Sequence, residues 1–182
     1  MPPETIELHG HRFRLFLHRE EITEIVRQVA TQIERDYAGK APVCLIVLKG
    51  AFVFAADLLR CLSLPCSVET IRARSYGMGM TSSGSVQIDP PAIELRGKDV
   101  LLLEDIVDTG LTLRALVDFI EEQQPASLRI ATLLAKPPAR TLDVPLAYIG
   151  KDIPPVFVVG YGMDYAEAGR GLADIYAAVD TP

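Results

Sequence analysis

The chain has 182 residues, 49% of them apolar and 23% charged, which suits one folded domain and excludes wholesale disorder. Lysine and arginine number 18 against 24 aspartates and glutamates, and the net charge of −6 makes a poor non-specific partner for nucleic acid or an anionic membrane. No run approaches the roughly 18 apolar residues of a membrane helix.

The start, MPPETIELHGHRF, lacks the basic end and apolar stretch of a signal peptide. The first periodic segment is 19–38, where Ile22, Ile25, Val26, Val29 and Ile33 fall at helical spacing and Gly39 supplies a stop. Val43 to Leu48 is short, branched and apolar on both faces, as a buried parallel strand would be, and Lys49-Gly50 ends it. Residues 51–62 predict a helix with Phe52, Ala55, Ala56 and Leu59 on one side. Residues 66–76 read as a strand. The small, polar stretch 77–85 cannot build a core and predicts a mobile loop, from which Val86-Gln87-Ile88 returns to close a hairpin.

Asp99 to Leu103 is a further buried strand, running into the polar sequence Glu104 to Thr112. A helix follows with Leu113, Leu116, Val117 and Ile120 in register and ends near Gln124-Pro125. Leu128 to Ala135 is the next strand, closed by Lys136-Pro137-Pro138, and Ala147 to Ile149 and Phe157 to Tyr161 complete the pattern. The alternation predicts an α/β fold, an open, mostly parallel twisted sheet with helices on both faces. Ligands in such folds bind beyond the carboxyl ends of the strands, and Lys49-Gly50, residues 104–112 and Lys136 all sit at such ends.

Three carboxylates, Glu104, Asp105 and Asp108, lie within five residues, flanked by an apolar strand and the start of a helix. Crowded carboxylates repel unless a cation or hydroxyl donors share them; magnesium or a sugar diol would do so. Asp108-Thr109-Gly110-Leu111-Thr112 opens the helix, where unpaired backbone N–H groups and two threonine hydroxyls make an anion pocket and Gly110 lets the backbone come close. Neither a GxxxxGK[ST] phosphate loop nor a GxGxxG turn after a strand is present. An acid pair beside a phosphate cup describes a ribose 5-phosphate. The reading requires Asp105 and Thr112 to face a common space with room for that sugar.

At this point the sequence resembles the type I phosphoribosyltransferases, and LLLEDIVDTGLTL at 101–113 is close to the hypoxanthine-guanine branch. The resemblance extends through VLKGAFVFAADLLR (47–60), RSYGMGMTSSGSVQI (74–88), LLAKPPAR (133–140) and YIGKDIPPVFVVGYGMDYAEAGR (148–170), nearly the whole chain in the family's order. It implies one domain over 1–182, with a small hood from the N- and C-terminal segments and a hairpin lid near 74–88 that begins at Ser75 and Tyr76. The activity it implies is purine salvage, a Mg²⁺-dependent transfer of the phosphoribosyl group from phosphoribosyl pyrophosphate to hypoxanthine or guanine. A xanthine-preferring transferase and a non-catalytic nucleotide-sensing regulator are the alternatives on the same fold.

Residue by residue, the resemblance implies that Glu104 and Asp105 hold the ribose hydroxyls and that Asp108 sits near purine N7 as a general base. It gives Asp108 through Thr112 the 5′-phosphate, and Lys49, Gly50 and Arg170 the pyrophosphate, in a loop whose peptide bond is often cis. Lys136 would donate to purine O6, Phe157 stack on the ring and Val158 read its N1 side by its backbone. Asp164, beside the base, would be the metal ligand, with Glu104 and Asp105 the other carboxylates available to Mg²⁺. The partners implied are small molecules and further copies of the chain, as a homodimer or homotetramer for which the 51–62 helix is a candidate contact. Leu111, where several relatives have lysine, Gly169, where an aromatic is common, and Ala173, in place of a frequent proline, depart from the pattern.

Weaker signals complete the reading. His9, His11 and His18 read as surface or turn residues rather than a metal site, because no carboxylate or cysteine has ligand spacing to them. Cys44, Cys61 and Cys66 make neither a disulfide framework nor a zinc knuckle, so a reduced cytoplasmic compartment is expected. Tyr161 and Tyr165 suit either the base pocket or core packing.

Overall fold

A computed structural model describes residues 2–75, 86–137 and 146–180. The elements in chain order are β1 (Thr5–Leu8), β2 (His11–Leu17), α1 (Arg19–Asp36), β3 (Val43–Leu48), α2 (Phe52–Cys61), β4 (Ser67–Ser75) and β5 (Val86–Asp89). Then come β6 (Asp99–Val107), α3 (Leu111–Glu122), β7 (Ser127–Ala135), β8 (Tyr148–Asp152), β9 (Val158–Val159) and β10 (Ile175–Ala178). The large sheet runs β5-β4-β3-β6-β7-β8, parallel throughout except for β5, which pairs antiparallel with β4.

The two-residue period of the central strands explains why helices cover both faces. Cys44, Ile46, Leu101 and Leu103 share one cluster with Ile22, Val26, Val29 and Ile33 of α1 and Phe54, Ala55 and Leu58 of α2. Val43, Leu45, Val47, Val100 and Leu102 share the other with Leu113, Leu116, Val117 and Ile120 of α3. The α2 face differs from the expected one. Phe54, Ala55 and Leu58 are buried, whereas Phe52 and Ala56 are exposed and Leu59 only half-buried. The segment is apolar nearly all round, so periodicity alone does not choose the face that meets the sheet.

Two further differences shape the site. β6 does not end at Leu103 but runs on to Val107, with Glu104, Ile106 and Val107 in register with Thr132, Leu134 and Ala135 of β7. An equally long parallel neighbour and two branched residues extend the ladder, so Glu104 and Asp105 are fixed strand residues, not loop residues. The segment 157–161 does not continue the parallel sheet. Its core, β9, joins a second sheet of order β1-β2-β10-β9, in which every pairing is antiparallel. This sheet takes β1 and β2 from the N-terminal segment and β10 from the C-terminal one, three strands that the sequence reading did not contain. Arg19 at the head of α1 ties it to the large-sheet layer. Its backbone N–H and guanidinium donate to the Asp174 carboxylate at 2.9 and 2.8 Å. Of the expected lid, residues 76–85, Tyr76 included, lie outside the described residues. Ser75 and Val86 face each other in the β4–β5 ladder.

Candidate active site

β3, β6 and β7 are parallel neighbours, so the residues following their carboxyl ends meet at one edge of the large sheet. A cavity of about 190 Å³ there is walled by Asp105, Ile106, Asp108 and Lys136 from the large sheet and by Phe157, Val158, Met163 and Asp164 from the second. A wider one of about 430 Å³ shares Asp108, Lys136 and Phe157 and continues to Pro155, Val156, Val179 and Asp180. Phe157 is 40% exposed, so its ring is available as a wall to both. Phe13 and Tyr165 hold it from behind, with ring centroids 6.4 and 5.8 Å away.

The head of α3 forms a third hollow of about 110 Å³, lined by Glu104, Ile106, Val107 and the run Asp108 to Leu113. Gly110 takes φ +87°, a left-handed turn open to glycine at little strain, and its carbonyl accepts the first helical bond from Arg114 at 2.8 Å. The first-turn amides beyond it have no intrahelical acceptor and carry the positive end of the dipole. Asp105 and Thr112 thus line two hollows rather than one, and these adjoin through their common walls Ile106 and Asp108.

Burial and the neighbouring charge of Asp105 push the Glu104 carboxyl well above the usual range, and burial raises that of Asp105 as well. Asp105 regains part of this from a side-chain hydrogen bond with Glu104, then from the Ile106 N–H at 2.9 Å and the nearby Arg170 guanidinium. The same carboxylate lies against the backbone of Gly50, where an added Cβ would come within 1.9 Å of an Asp105 oxygen. The carbonyl of Gly50 lies equally close to Gly162, whose Cβ would meet it at 2.1 Å. The Lys49-Gly50 loop is therefore clamped between β6 and the 160–172 segment by two glycine contacts. The cis peptide is Leu48–Lys49, the bond before Lys49.

The remaining predicted residues are engaged within the site. Lys49 donates to both Glu167 carboxylate oxygens at 2.9 Å. Arg170 pairs with Asp164 at 2.7 Å and donates to the Gly162 carbonyl at 2.9 Å, while its buried Nε has no hydrogen-bond partner among the described residues. Lys136, with only 8% of its side chain exposed, donates to Asp108 at 2.6 Å. Leu111 is 55% exposed at the lip of the α3 hollow. Among the described residues, Glu104, Asp105 and Asp164 do not gather their oxygens into one three-ligand cluster.

The departure at Gly169 has a local reason, since its φ of +96° and the closeness of Leu8 leave a larger side chain strained. Tyr161 belongs to the core, its hydroxyl donating to Asp57 at 2.5 Å. Tyr165 packs edge-on against His9 and His11, at 5.9 and 5.2 Å. The three cysteines are free, and burial pushes the Cys44 thiol up to about 12.

Sequence reasoning missed Ile106 and Met163 as cavity walls, Glu167 as the partner of Lys49, and Gly162. Apolar walls carry no chemical signature, and Glu167 lies 118 positions from Lys49. The second glycine of the Gly160-Tyr161-Gly162 run was the one available signal.

An anion cup beside buried carboxylates, with a cationic and aromatic slot next to it at the carboxyl edge of a parallel sheet, suits a phosphorylated sugar meeting a flat heterocycle. Residues 17–166 match the phosphoribosyl transferase domain family, and the chain belongs to that family. Its likeness within the family is to the hypoxanthine-guanine branch. The hypoxanthine-guanine phosphoribosyltransferase of Aquifex aeolicus (strain VF5) is 38% identical over 176 residues, 96% of this chain and 99% of that protein. The enzyme of the same name from Staphylococcus aureus (strain Mu50) is 39% identical over 166 residues, covering 91% of this chain and 93% of that protein. A crystal structure of a hypoxanthine-guanine phosphoribosyltransferase from Bacillus anthracis superposes with a TM-score of 0.86 at 41% identity, covering 91% of this chain and 98% of that one. Among the described residues, no helix is long and apolar enough to cross a membrane.

Proposed function

We propose that the chain transfers the phosphoribosyl group of phosphoribosyl pyrophosphate to hypoxanthine or guanine, releasing pyrophosphate and forming the purine nucleoside monophosphate. The observation that carries this reading is the single cavity walled by Asp105, Asp108, Lys136, Phe157, Val158 and Asp164. In this reading the 5′-phosphate sits on backbone amides and threonines in the α3 hollow, which adjoins that cavity at Ile106 and Asp108. Glu104 and Asp105 accept from the ribose hydroxyls, which offsets the desolvation that raises both carboxyls. The base stacks on Phe157 with Ile106 across the slot. Lys136 donates to O6, and the Val158 backbone meets the N1 side. Asp108 takes the N7 proton as N9 attacks the anomeric carbon. The nearby carboxylates favour the positive charge that develops on the sugar as pyrophosphate departs toward Lys49, Gly50 and Arg170.

Mg²⁺ fits this site, because the donors around it are hard carboxylate oxygens with no thiol or imidazole among the lining residues. Asp164 would hold the ion, with most of the remaining shell from diphosphate, ribose hydroxyls and water. When bound, the ion neutralises the leaving diphosphate. The second sheet acts as a hood over the base, and residues 74–88 as a lid. The chain works in the cytoplasm as a homodimer or homotetramer, and Phe52, exposed on α2, supports a contact through that helix.

The test is an assay of inosine monophosphate from hypoxanthine and phosphoribosyl pyrophosphate, with and without Mg²⁺, run beside guanine, xanthine and adenine. Turnover with hypoxanthine or guanine that needs the metal is expected. Faster turnover of xanthine would make the chain a xanthine-preferring transferase. Nucleotide binding with no pyrophosphate released would make it a regulator.

A further inference from the structure

The two halves of the pyrophosphate site come from elements far apart in sequence. Lys49 and Gly50 precede α2, whereas Arg170 lies in the 160–172 segment, and the Gly162 contact on the Gly50 carbonyl holds them at a fixed spacing. Something must keep Gly162 there. Tyr161, immediately before it, is buried and takes φ +50°, a left-handed conformation that L residues with large side chains rarely adopt, and glycines at φ +102° flank it. The turn is held on its backbone side by Tyr161 N–H to Leu172 at 2.8 Å and Gly162 N–H to Arg170 at 3.0 Å. On its side-chain side the Tyr161 hydroxyl donates to Asp57 at 2.5 Å, and Asp57 stands on α2, the helix that follows Gly50. The Gly162 carbonyl then accepts from Arg170 at 2.9 Å. Asp57 is further engaged by Arg60, one turn along α2.

We infer that Tyr161 and Asp57 are positioning residues for pyrophosphate binding, a strut that sets Arg170 against the Lys49-Gly50 loop. The inference rests on the proposed transferase reading for the identity of the ligand. Neither side chain lines the base cavity. Loss of the strut therefore weakens the pyrophosphate end of the substrate and leaves the purine end alone.

The experiment compares Tyr161→Phe, Asp57→Ala, the double variant of these two, Asp57→Asn and Arg60→Ala with the wild type. Three quantities are measured, namely KM for phosphoribosyl pyrophosphate, KM for hypoxanthine, and the calorimetric affinity for magnesium pyrophosphate, which needs no turnover. Tyr161→Phe and Asp57→Ala are expected to weaken both pyrophosphate measures about tenfold, with hypoxanthine KM within about twofold. The double variant should be no worse than either single one, because both remove the same bond. Asp57→Asn keeps an acceptor oxygen and should restore most of the affinity, and Arg60→Ala should leave it unchanged. A Tyr161→Phe protein with wild-type pyrophosphate affinity overturns the inference. Equal weakening of base and pyrophosphate with a lowered melting temperature overturns it too, since that is a structural defect. If the wild type binds pyrophosphate but makes no nucleotide, the transferase reading fails while the strut is still measured.

Discussion

The ammonium of Lys136 and the carboxylate of Asp108 meet at 2.6 Å, joining the ends of two neighbouring strands across the mouth of the base cavity. The lysine is almost wholly buried, whereas the aspartate is half exposed. A buried ammonium needs a partner, and here that partner is the group proposed to take the N7 proton. In the proposed complex with a 6-oxopurine, each instead faces a purine group that suits it, Lys136 the exocyclic O6 acceptor and Asp108 the N7–H donor.

Asp108→Asn tests the base role. A positioned general base is worth about 10²–10⁴-fold in rate, and the amide can still hydrogen-bond but cannot take the proton. Turnover is expected to fall by that factor, with KM for phosphoribosyl pyrophosphate within about threefold of wild type. Steady-state kinetics decides the matter, and an equal loss in both parameters would remove the role.

The proposed contact of Lys136 with O6 makes it the determinant of base choice. An ammonium only donates, so the adenine amino group would put donor against donor beside a nearly buried lysine, and rejection of about 10⁴-fold in kcat/KM is expected. Lys136→Gln presents an acceptor as well. Its ratio of hypoxanthine to adenine kcat/KM should drop at least about tenfold below the wild-type ratio. An unchanged ratio would place the discrimination elsewhere.

Gly162 has neither room nor conformation for a side chain. A Cβ would lie 2.1 Å from the Gly50 carbonyl oxygen, and φ is +102°. Overpacking and left-handed strain together make Gly162→Ala less stable by about 2–4 kcal/mol. Urea unfolding measures this. The loss of pyrophosphate affinity should exceed what the fraction unfolded explains, because the displaced atom belongs to the Lys49-Gly50 loop.

Asp174 links folding to pH. Burial pushes its carboxyl up, but the hydrogen bonds and charge of Arg19 outweigh burial and hold it below the usual range, with His18 assisting. A carboxyl with a lowered native pKa contributes stability above its unfolded value near 3.8, and that contribution disappears as pH falls through the native value. The melting temperature of wild type should therefore exceed that of Asp174→Asn at pH 6, and the gap should close below about pH 4. A gap that does not change with pH would mean that the pair contributes through shape alone.

The sequence by itself determined the α/β class, the order of strands and helices from residue 19 to 135, and the polar residues that crown the strands. These are local properties. Branched apolar runs, a helical period and a TGxT turn carry their physics within a few residues, as Val43 to Leu48 and Asp108 to Thr112 illustrate. The resemblance then marked which of those polar residues belong to one chemistry. Tertiary structure decided what depends on partners distant in the chain. β7 drew β6 out to Val107 and made Glu104 and Asp105 part of the sheet. β10 took β9 into a separate sheet, so that Phe157 and Val158 arrive at the site from the other side. Core packing turned Phe54 rather than Phe52 inward. The Lys49–Glu167 pair and the contact between Gly50 and Gly162 join segments more than a hundred residues apart. No local pattern encodes such pairings, because the free energy that selects them is released only when the two sheets close on one another.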